Sequence, residues 1–492
     1  MIEANEEGGP ARVQTTWWTT AMAEARPEEM PILAHTRQEL AGLLADERAP
    51  RRWIGLAVMS DPALALRVLQ RANAVKHRHF RVELSSLEDA AQMLGTQTLA
   101  RMAGEADLAE DVLPPERLAA YRRGSGRALL GALLALDWAE LDRDRFPTEV
   151  SLAALLNNLG ELFLLAHGDA RIKRYLELVD SARVYPNEAE YVALGESLED
   201  LGLGLATQWG LPEMVRESMR TRNARHTRTL CVMLATQVAS HACSGWRHPS
   251  QPADLRLAAR LLDLDISTLV DRINGVLGEF NRRALDYGLS PLAALSGETE
   301  GEDLDGSRLP RFCLAPRQDD YQVASLALQS ERTLDREVVI KILLRGLHRG
   351  LGLNRVVFAA YDPEAGVLTA EHLVGTDFEP GFNRFRLALD QSGLFGRLRE
   401  APFELWLNDE NRAELLARVP SPVKDLTGVD GFFARSLWVG GHPIGLVYAD
   451  RRAANCALDA RGYQGFLRLI AEAESALETL RQPGRGSTGD RP

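Results

Sequence analysis

The chain has 492 residues, 45% of them hydrophobic and 26% charged, with a formal net charge of −12. That is the composition of a folded, soluble protein of roughly three ordinary domains, and the acidic balance argues against a general electrostatic grip on nucleic acid or an anionic membrane. The four cysteines, Cys231, Cys243, Cys313 and Cys456, are widely spaced and form no CxxC pair. Neither a disulfide framework nor a cysteine zinc site is expected, and the composition suits a reducing compartment.

The first residues, MIEANEEGGPAR, are acidic and lack the apolar core of a secretory signal. The most apolar run, ALLGALLAL from Ala128, is about half the roughly 20 residues a membrane span needs. A cytoplasmic protein with no membrane and no nucleic-acid partner is expected. Trp17 and Trp18 are read as tacking an N-terminal helix onto the core rather than as a partner anchor. From Ile32 to about Gly245 the spacing is helical almost throughout. In SDPALALRVLQRANA, Ser60 or Asp61 is placed to cap, Pro62 suits the first turn, and Leu64, Val68, Leu69 and Ala72 share a face. In SSLEDAAQMLG, Ser85 and Glu88 have capping-box spacing, and Gly95 is placed to end the helix. KHRHF carries His77 and His79, but Lys76, Arg78 and Arg81 crowd the same turn with positive charge, so a solvated loop is favoured over a cation site.

SLAALLNNLGELFLLAHG, from Ser151, has buried-helix spacing interrupted by Asn157 and Asn158. Asn competes with the helix for backbone partners, so a helix end with Gly160 in the turn is one reading. RESMRTRNARHTR holds Arg216, Arg220, Arg222, Arg225 and Arg228. Two readings stay open: a solvated helix end favoured by the dipole, or a docking patch for an acidic partner or a nucleotide phosphate. Helical spacing continues over residues 255–290. SGETEGEDLDGSRLP, Ser296 to Pro310, then reads as a solvated acidic linker. Beyond it, one or two helices precede two hairpins, one around DPEAG and one around Gly440 and Gly441. A last helix spans about Asp459 to Leu480, and the tail is expected to be disordered.

Several of these stretches, taken together and in order, resemble the HDOD family, the HD-related output domains of bacterial signalling proteins. They are MPILAHTRQELAGLL, SDPALALRVLQRANA with Asn73, VELSSLEDAAQMLG and LGESLEDLGLGLATQWGLPEMV. HDOD domains are similar to HD-type phosphohydrolases, whose histidines and aspartates hold the metals that activate water and clamp phosphate. Here Gly124 stands at the first histidine position, Asn157 and Asn158 at the His-Asp pair, and Leu198 at a later histidine. The resemblance thus implies a site without its ligands, against a barrier reduction of about 8–23 kcal/mol that hydrolysis demands. The stretch from Asn354 to Gly375, SGLFGRLREAPFELWLND and ARSLWVGGHPIGLVYADRR resemble a GAF domain. That likeness implies a small-molecule pocket or a dimer contact, with Phe358, His372, Trp438 and Tyr448 on the strands as candidate lining residues, although core is the favoured reading for any one of them.

The expected architecture is therefore multidomain: an N-terminal extension (1–27), an all-α HDOD-like domain (28–245), a helical extension (246–295), an acidic linker (296–318), an α/β GAF-like domain with an antiparallel sheet (319–482) and a tail (483–492). The expected function is non-catalytic bacterial signal transduction, with the helical half as an interaction platform for other signalling proteins. No cofactor is expected beyond an unidentified small-molecule ligand of the GAF-like half. A residual HD-type metal-dependent phosphodiesterase and a purely structural adaptor are the alternatives. Phe466, Leu469, Ile470, Ala473, Ala476, Leu477 and Leu480 form a stripe, part of which is expected to cover the sheet while its last turns, Ala473 to Leu480, project beyond it and support a homodimer.

Overall fold

The computed structural model describes residues 17–46, 48–74, 84–180, 185–248, 250–296, 313–330, 334–389, 394–429, 431–452 and 456–481. The histidine loop with His77 and His79, most of the acidic linker and the C-terminal tail lie outside these residues.

From Trp17 to Tyr287 the described chain is helical, its sole β contact being a bridge between Ile32 and Leu108. Asp61, not Ser60, caps the helix Pro62–Ala74. Its Oδ1 accepts from the Ala63 and Leu64 N–H groups (2.9 and 3.2 Å), and its Oδ2 accepts from Leu33 N–H at 2.7 Å. A single buried carboxylate thus satisfies a helix start and ties down the entering chain. Asn73 closes the far end of this helix by exchanging two hydrogen bonds with the Leu84 backbone. The next helix, Leu87–Glu105, is capped by Ser86 rather than Ser85, whose hydroxyl donates to Glu149 instead. Gly95 does not end it: at φ 75° it makes a kink, and helix resumes to Glu105. Helices Gln251–Leu261 and Ile266–Asn281 share the core of the preceding ones. Tyr287 packs where Gly126 has no Cβ and donates to Ser60 O at 2.6 Å.

A longer apolar stretch than the run at Ala128 is Pro147–His167. It is the one stretch among the described residues long and apolar enough to cross a membrane, yet 72% of its most apolar window is buried inside the helical half. It is also broken in the middle, into Pro147–Leu155 and Leu159–His167.

The C-terminal half is a curled, six-stranded antiparallel sheet. Its strands are β1 (Arg355–Asp362), β2 (Val367–Val374), β3 (Arg386–Ala388), β4 (Glu404–Leu407), β5 (Phe432–Val439) and β6 (His442–Asp450), in the order β3-β2-β1-β6-β5-β4. Both expected hairpins form. Asp362 Oδ1 accepts from Glu364 and Ala365 N–H in the first turn, and Gly440 and Gly441 both adopt positive φ in the second. One face is covered by helices Gln318–Leu328, Arg336–Arg345 and Ala460–Arg481, around Ile340, Phe358, Phe433 and Phe466. The other face carries its own core, around Phe382, Phe385, Leu398, Phe403 and Tyr448. The stripe on the last helix does not project. Phe466, Leu469, Ile470, Ala473 and Leu477 are all buried under the helix-covered face, and Ala476 and Leu480 pack against it. The flanking helices supply the cover expected from a second copy.

The cysteine expectation is also corrected. Cys313 and Cys456 are joined by a disulfide, their Cα atoms 5.4 Å apart across 143 residues of sequence. Spacing along the chain could not reveal a pair that the fold alone brings together.

Candidate functional site

Two places concentrate polar side chains. The first is the corner where the HD-type ligands would stand. Gly124 lies on the long helix Pro115–Leu141, and Asn157 and Asn158 occupy the break between the two apolar helices. Asn158 Nδ2 donates to Gly124 O at 3.1 Å, so the two positions touch. A Cβ on Gly124 would meet Leu162 at 3.1 Å, which shows that the space beside it is filled by a leucine. Gly160 is not the turn residue. It sits inside the second helix, where a Cβ would lie 2.1 Å from Leu198 O and 2.9 Å from Gly202 N. The backbones of this helix and of Leu198–Gln208 therefore meet at Gly160, bringing Leu198 to the same corner. One turn further along both helices, Arg127 pairs with Glu161, and that carboxylate raises the guanidinium's proton affinity. The corner thus presents an amide, a leucine, two glycines and a neutralised ion pair. None of the four expected positions has a metal-binding side chain, and among the described residues no three His, Cys, Asp or Glu side chains group closely enough to hold an ion.

The second place is the junction between the halves, and it was not anticipated. Arg452, just past β6, donates to Glu188 Oε1 (3.1 Å) and Gly375 O (2.9 Å) and pairs with Glu379. Its guanidinium lies 4.1 Å over the Tyr185 ring. Glu379 also accepts from Arg355 (2.8 Å), and Arg355 makes a bidentate pair with Asp450, its register partner across β1 and β6. Tyr448 donates to Asp450 at 2.5 Å. Asn354 Nδ2 donates to Glu188 (2.6 Å), and Asn187 Nδ2 donates to Gly375 O (2.6 Å). A continuous charged chain thus runs from Glu188 in the helical half to Tyr448 inside the sheet domain, nearly all of it buried. Burial raises the Glu188 pKa against the pull of Arg452. At Glu379 burial pushes the same way, but Arg452 and Arg355 outweigh it and hold the carboxyl below its ordinary value. Beside this chain, Ser197 donates to Asp377 (3.2 Å). Burial, reinforced by Asp377, raises Glu199 well above the usual carboxylate range. A third contact is made by Tyr191, whose hydroxyl meets both Ala315 O and Arg349 O at 3.0 Å, under the Arg317 guanidinium.

The expected docking patch is dispersed into the fold. Arg228 pairs with Asp144 and Glu149, Arg220 with Glu217, and Arg216 donates to Leu211 O. Arg222 and Arg225 lie on the short turn Thr221–Arg225, which packs against β2 and the helix Pro380–Asn383. Burial lowers the His372 pKa and the Lys341 ammonium lowers that of Glu337, with Arg222 adding a smaller push in the same direction at both. The run is thus held partly by the helical half and, at the turn Thr221–Arg225, by the chain's own C-terminal half. The four candidate pocket residues do not converge either. Phe358 and His372 are cross-strand neighbours, ring centres 6.5 Å apart, with Phe358 under the covering helices. The partner of Phe358 on β6 is Val447, so the pleat sends Tyr448 to the opposite face, against Phe432 and Phe382. Trp438 follows a bulge in β5, and its ring N–H donates to Ser436.

The family model for the HDOD domain matches residues 30–225. This part of the chain is an HDOD domain, the helical domain that holds the corner described above. Three solved structures illustrate the range of similar chains. A Campylobacter jejuni virulence factor is 18% identical, with a TM-score of 0.42 over 53% of this chain and 94% of that one. An HDOD domain protein of unknown function from Geobacter sulfurreducens is 19% identical, with a TM-score of 0.31 over 54% and 95%. The GAF domain of an Acinetobacter phosphoenolpyruvate-protein phosphotransferase is 13% identical, with a TM-score of 0.26 over 34% and 96%. No curated protein matches the chain.

Proposed function

We propose that this protein is a non-catalytic signal-transduction component, in which the HDOD domain is an interaction platform biased by a GAF-like domain that senses a small molecule or dimerises. The observation carrying this reading is the pairing of a ligand-poor HD corner with a buried charged junction. The corner lacks the side chains that would activate water, while the junction gives the sheet domain a direct mechanical hold on Asn187 and Glu188 of the helical one. A ligand that favours one arrangement of β6 would shift Arg452 and with it the docking of the halves. Arg355 and Tyr448 extend that chain into the sheet domain, which is where ligand binding would be felt. Partners would be other signalling proteins in the cytoplasm.

Two measurements test the reading. The full chain is incubated with Mn²⁺ or Fe²⁺, desalted, and assayed by elemental analysis and by hydrolysis of bis(p-nitrophenyl) phosphate. The expected result is no stoichiometric metal and no turnover above buffer. Stoichiometric metal with turnover would install the HD-type phosphodiesterase instead. Mass spectrometry of the purified protein for co-bound small molecules then separates a sensor from a structural adaptor.

A further inference from the structure

The segment from Cys313 to Arg317 is a short strap that crosses the junction. Leu314 is buried, and its carbonyl oxygen lies against Gly352, where a Cβ would come within 2.4 Å. Tyr191 of the helical domain donates to Ala315 O, and Arg317 donates back to Tyr191 O at 2.6 Å. Arg317 N–H donates to Arg349 O at 3.0 Å. The strap therefore binds both halves at once. Its first residue, Cys313, is exposed and bonded to Cys456, a 5% exposed residue four positions past Arg452. The other two cysteines are of a different kind: burial pushes the Cys231 thiol up to about 12 and the Cys243 thiol up to about 11, so neither is a ready thiolate at neutral pH.

We propose that Cys313–Cys456 is a redox modification site: a reversible disulfide, opened by a dithiol reductant from the side of the exposed residue Cys313, that sets how firmly the strap holds the two halves together. The placement argues for this. The bridge joins an exposed residue of the strap, Cys313, to a buried one, Cys456, four positions past the central arginine, so a reagent approaches it from the Cys313 side. Attack by one thiolate of the reductant on the Cys313 sulfur forms a mixed disulfide and expels the Cys456 thiolate, which takes up a proton. The reductant's second thiol then resolves the mixed disulfide, releasing Cys313 as a thiol. The bridge gains two electrons and two protons, and the dithiol leaves as its own disulfide. Exchange with an oxidised dithiol runs the same steps backwards. Once open, the strap keeps its hydrogen bonds to Tyr191 and Arg349 but loses its covalent end, so its backbone opens more often.

The test uses the full chain, equilibrated in buffers of reduced and oxidised dithiothreitol. Non-reducing peptide mapping should find the peptides of Cys313 and Cys456 linked in the oxidised sample and separate, each alkylated, in the reduced one, with full recovery on reoxidation. Hydrogen exchange should quicken about tenfold or more at residues 314–317 on reduction, with no change in the helix Pro115–Leu141. Cys313→Ser should match the reduced wild type and ignore the redox buffer, while Cys231→Ser should keep the response. Separate alkylation of both cysteines under oxidising conditions overturns the proposal. So does identical exchange of the strap in the two states of the wild-type chain, a comparison that needs no variant to fold.

Discussion

Replacing Arg452 with alanine should separate the two halves of the molecule, and the size of the effect follows from what the guanidinium leaves behind. Its side chain is 9% exposed and serves two carboxylates, Glu188 at 3% and Glu379 at 15%. Glu379 keeps a second cation, Arg355, at 2.8 Å. Glu188 keeps neutral hydrogen-bond partners, the Asn354 amide and the Tyr185 backbone. One buried carboxylate is thus stranded. Breaking a buried pair from one side costs about 3–5 kcal/mol, and since one of the two acids is still served, the lower end, about 3 kcal/mol, is expected, a factor of roughly 100 in the docking equilibrium. The penalty depends on pH with a definite sign. The Glu188 pKa is already raised by burial and rises further without Arg452, so the stranded group is tolerated while protonated and becomes costly as pH rises through its folded-state value. Urea unfolding followed by far-UV circular dichroism, at pH 5.5 and at pH 8, should show a deficit that grows with pH. Adding Glu188→Gln to Arg452→Ala should recover most of it, because no charge is then left uncompensated. A wild-type midpoint for Arg452→Ala at pH 8, or a deficit untouched by Glu188→Gln, would refute the reasoning.

The close crossing at Gly160 predicts that Gly160→Ala destabilises the HDOD domain by about 1–3 kcal/mol or more in urea unfolding, since the added carbon meets backbone that cannot rotate away. Gly104→Ala, with nothing within 4 Å of the new carbon, should instead stabilise by up to about 1 kcal/mol. The pKa values of Glu199 and Asp377 are both raised, chiefly by burial; their contribution is complete below the ordinary carboxylate range and is lost as pH rises through the raised values. Hydrogen exchange around residues 375–379 should therefore quicken with pH beyond its intrinsic pH dependence, and Glu199→Gln should flatten that excess. Limited proteolysis should cut first within the acidic linker around Ser296 to Pro310, whose composition offers little to bury, and the two fragments should still elute together in size exclusion because the junction holds them; Arg452→Ala should let them part. Light scattering on the full chain at micromolar concentration checks the proposed homodimer, which the last helix no longer motivates now that its stripe is buried.

The periodic parts of the fold were legible because their physics is local. Apolar spacing marked the helices around Pro62 and Leu87, and the DPEAG and Gly-Gly turns marked both hairpins, since each such signal is contained within a few residues. Misplacements occurred where a tertiary partner decides. Ser85 was expected to cap, but Glu149 claims its hydroxyl. Gly95 was expected to stop a helix, yet the chain only kinks there. Gly160 was assigned to a turn, and only the neighbouring helix reveals why it has no side chain. The corner of Gly124, Asn158 and Leu198 was legible by resemblance. The junction was not, because Glu188, Arg355, Glu379 and Arg452 are ordinary surface residue types until two domains meet. A faint signal was available: Arg355 and Asp450–Arg452 put charges at the tips of strands that are otherwise apolar.

The distance in sequence between Glu188 and Arg452 also sets a schedule for synthesis. The HDOD domain is complete, with Glu188 in place, long before the ribosome reaches the arginine that serves it, 264 residues later. At about 5–20 residues per second that interval is roughly 13–50 s. β1 waits for a shorter time, since Asp450 on its central-strand partner β6 lies 95 residues beyond Arg355, and only β2 is made soon after it. Through the longer interval Glu188 lacks Arg452, and Glu196 lacks Arg345 and Arg349 until those are made. The charged junction between the two halves is therefore completed only on a chain translated past Arg452.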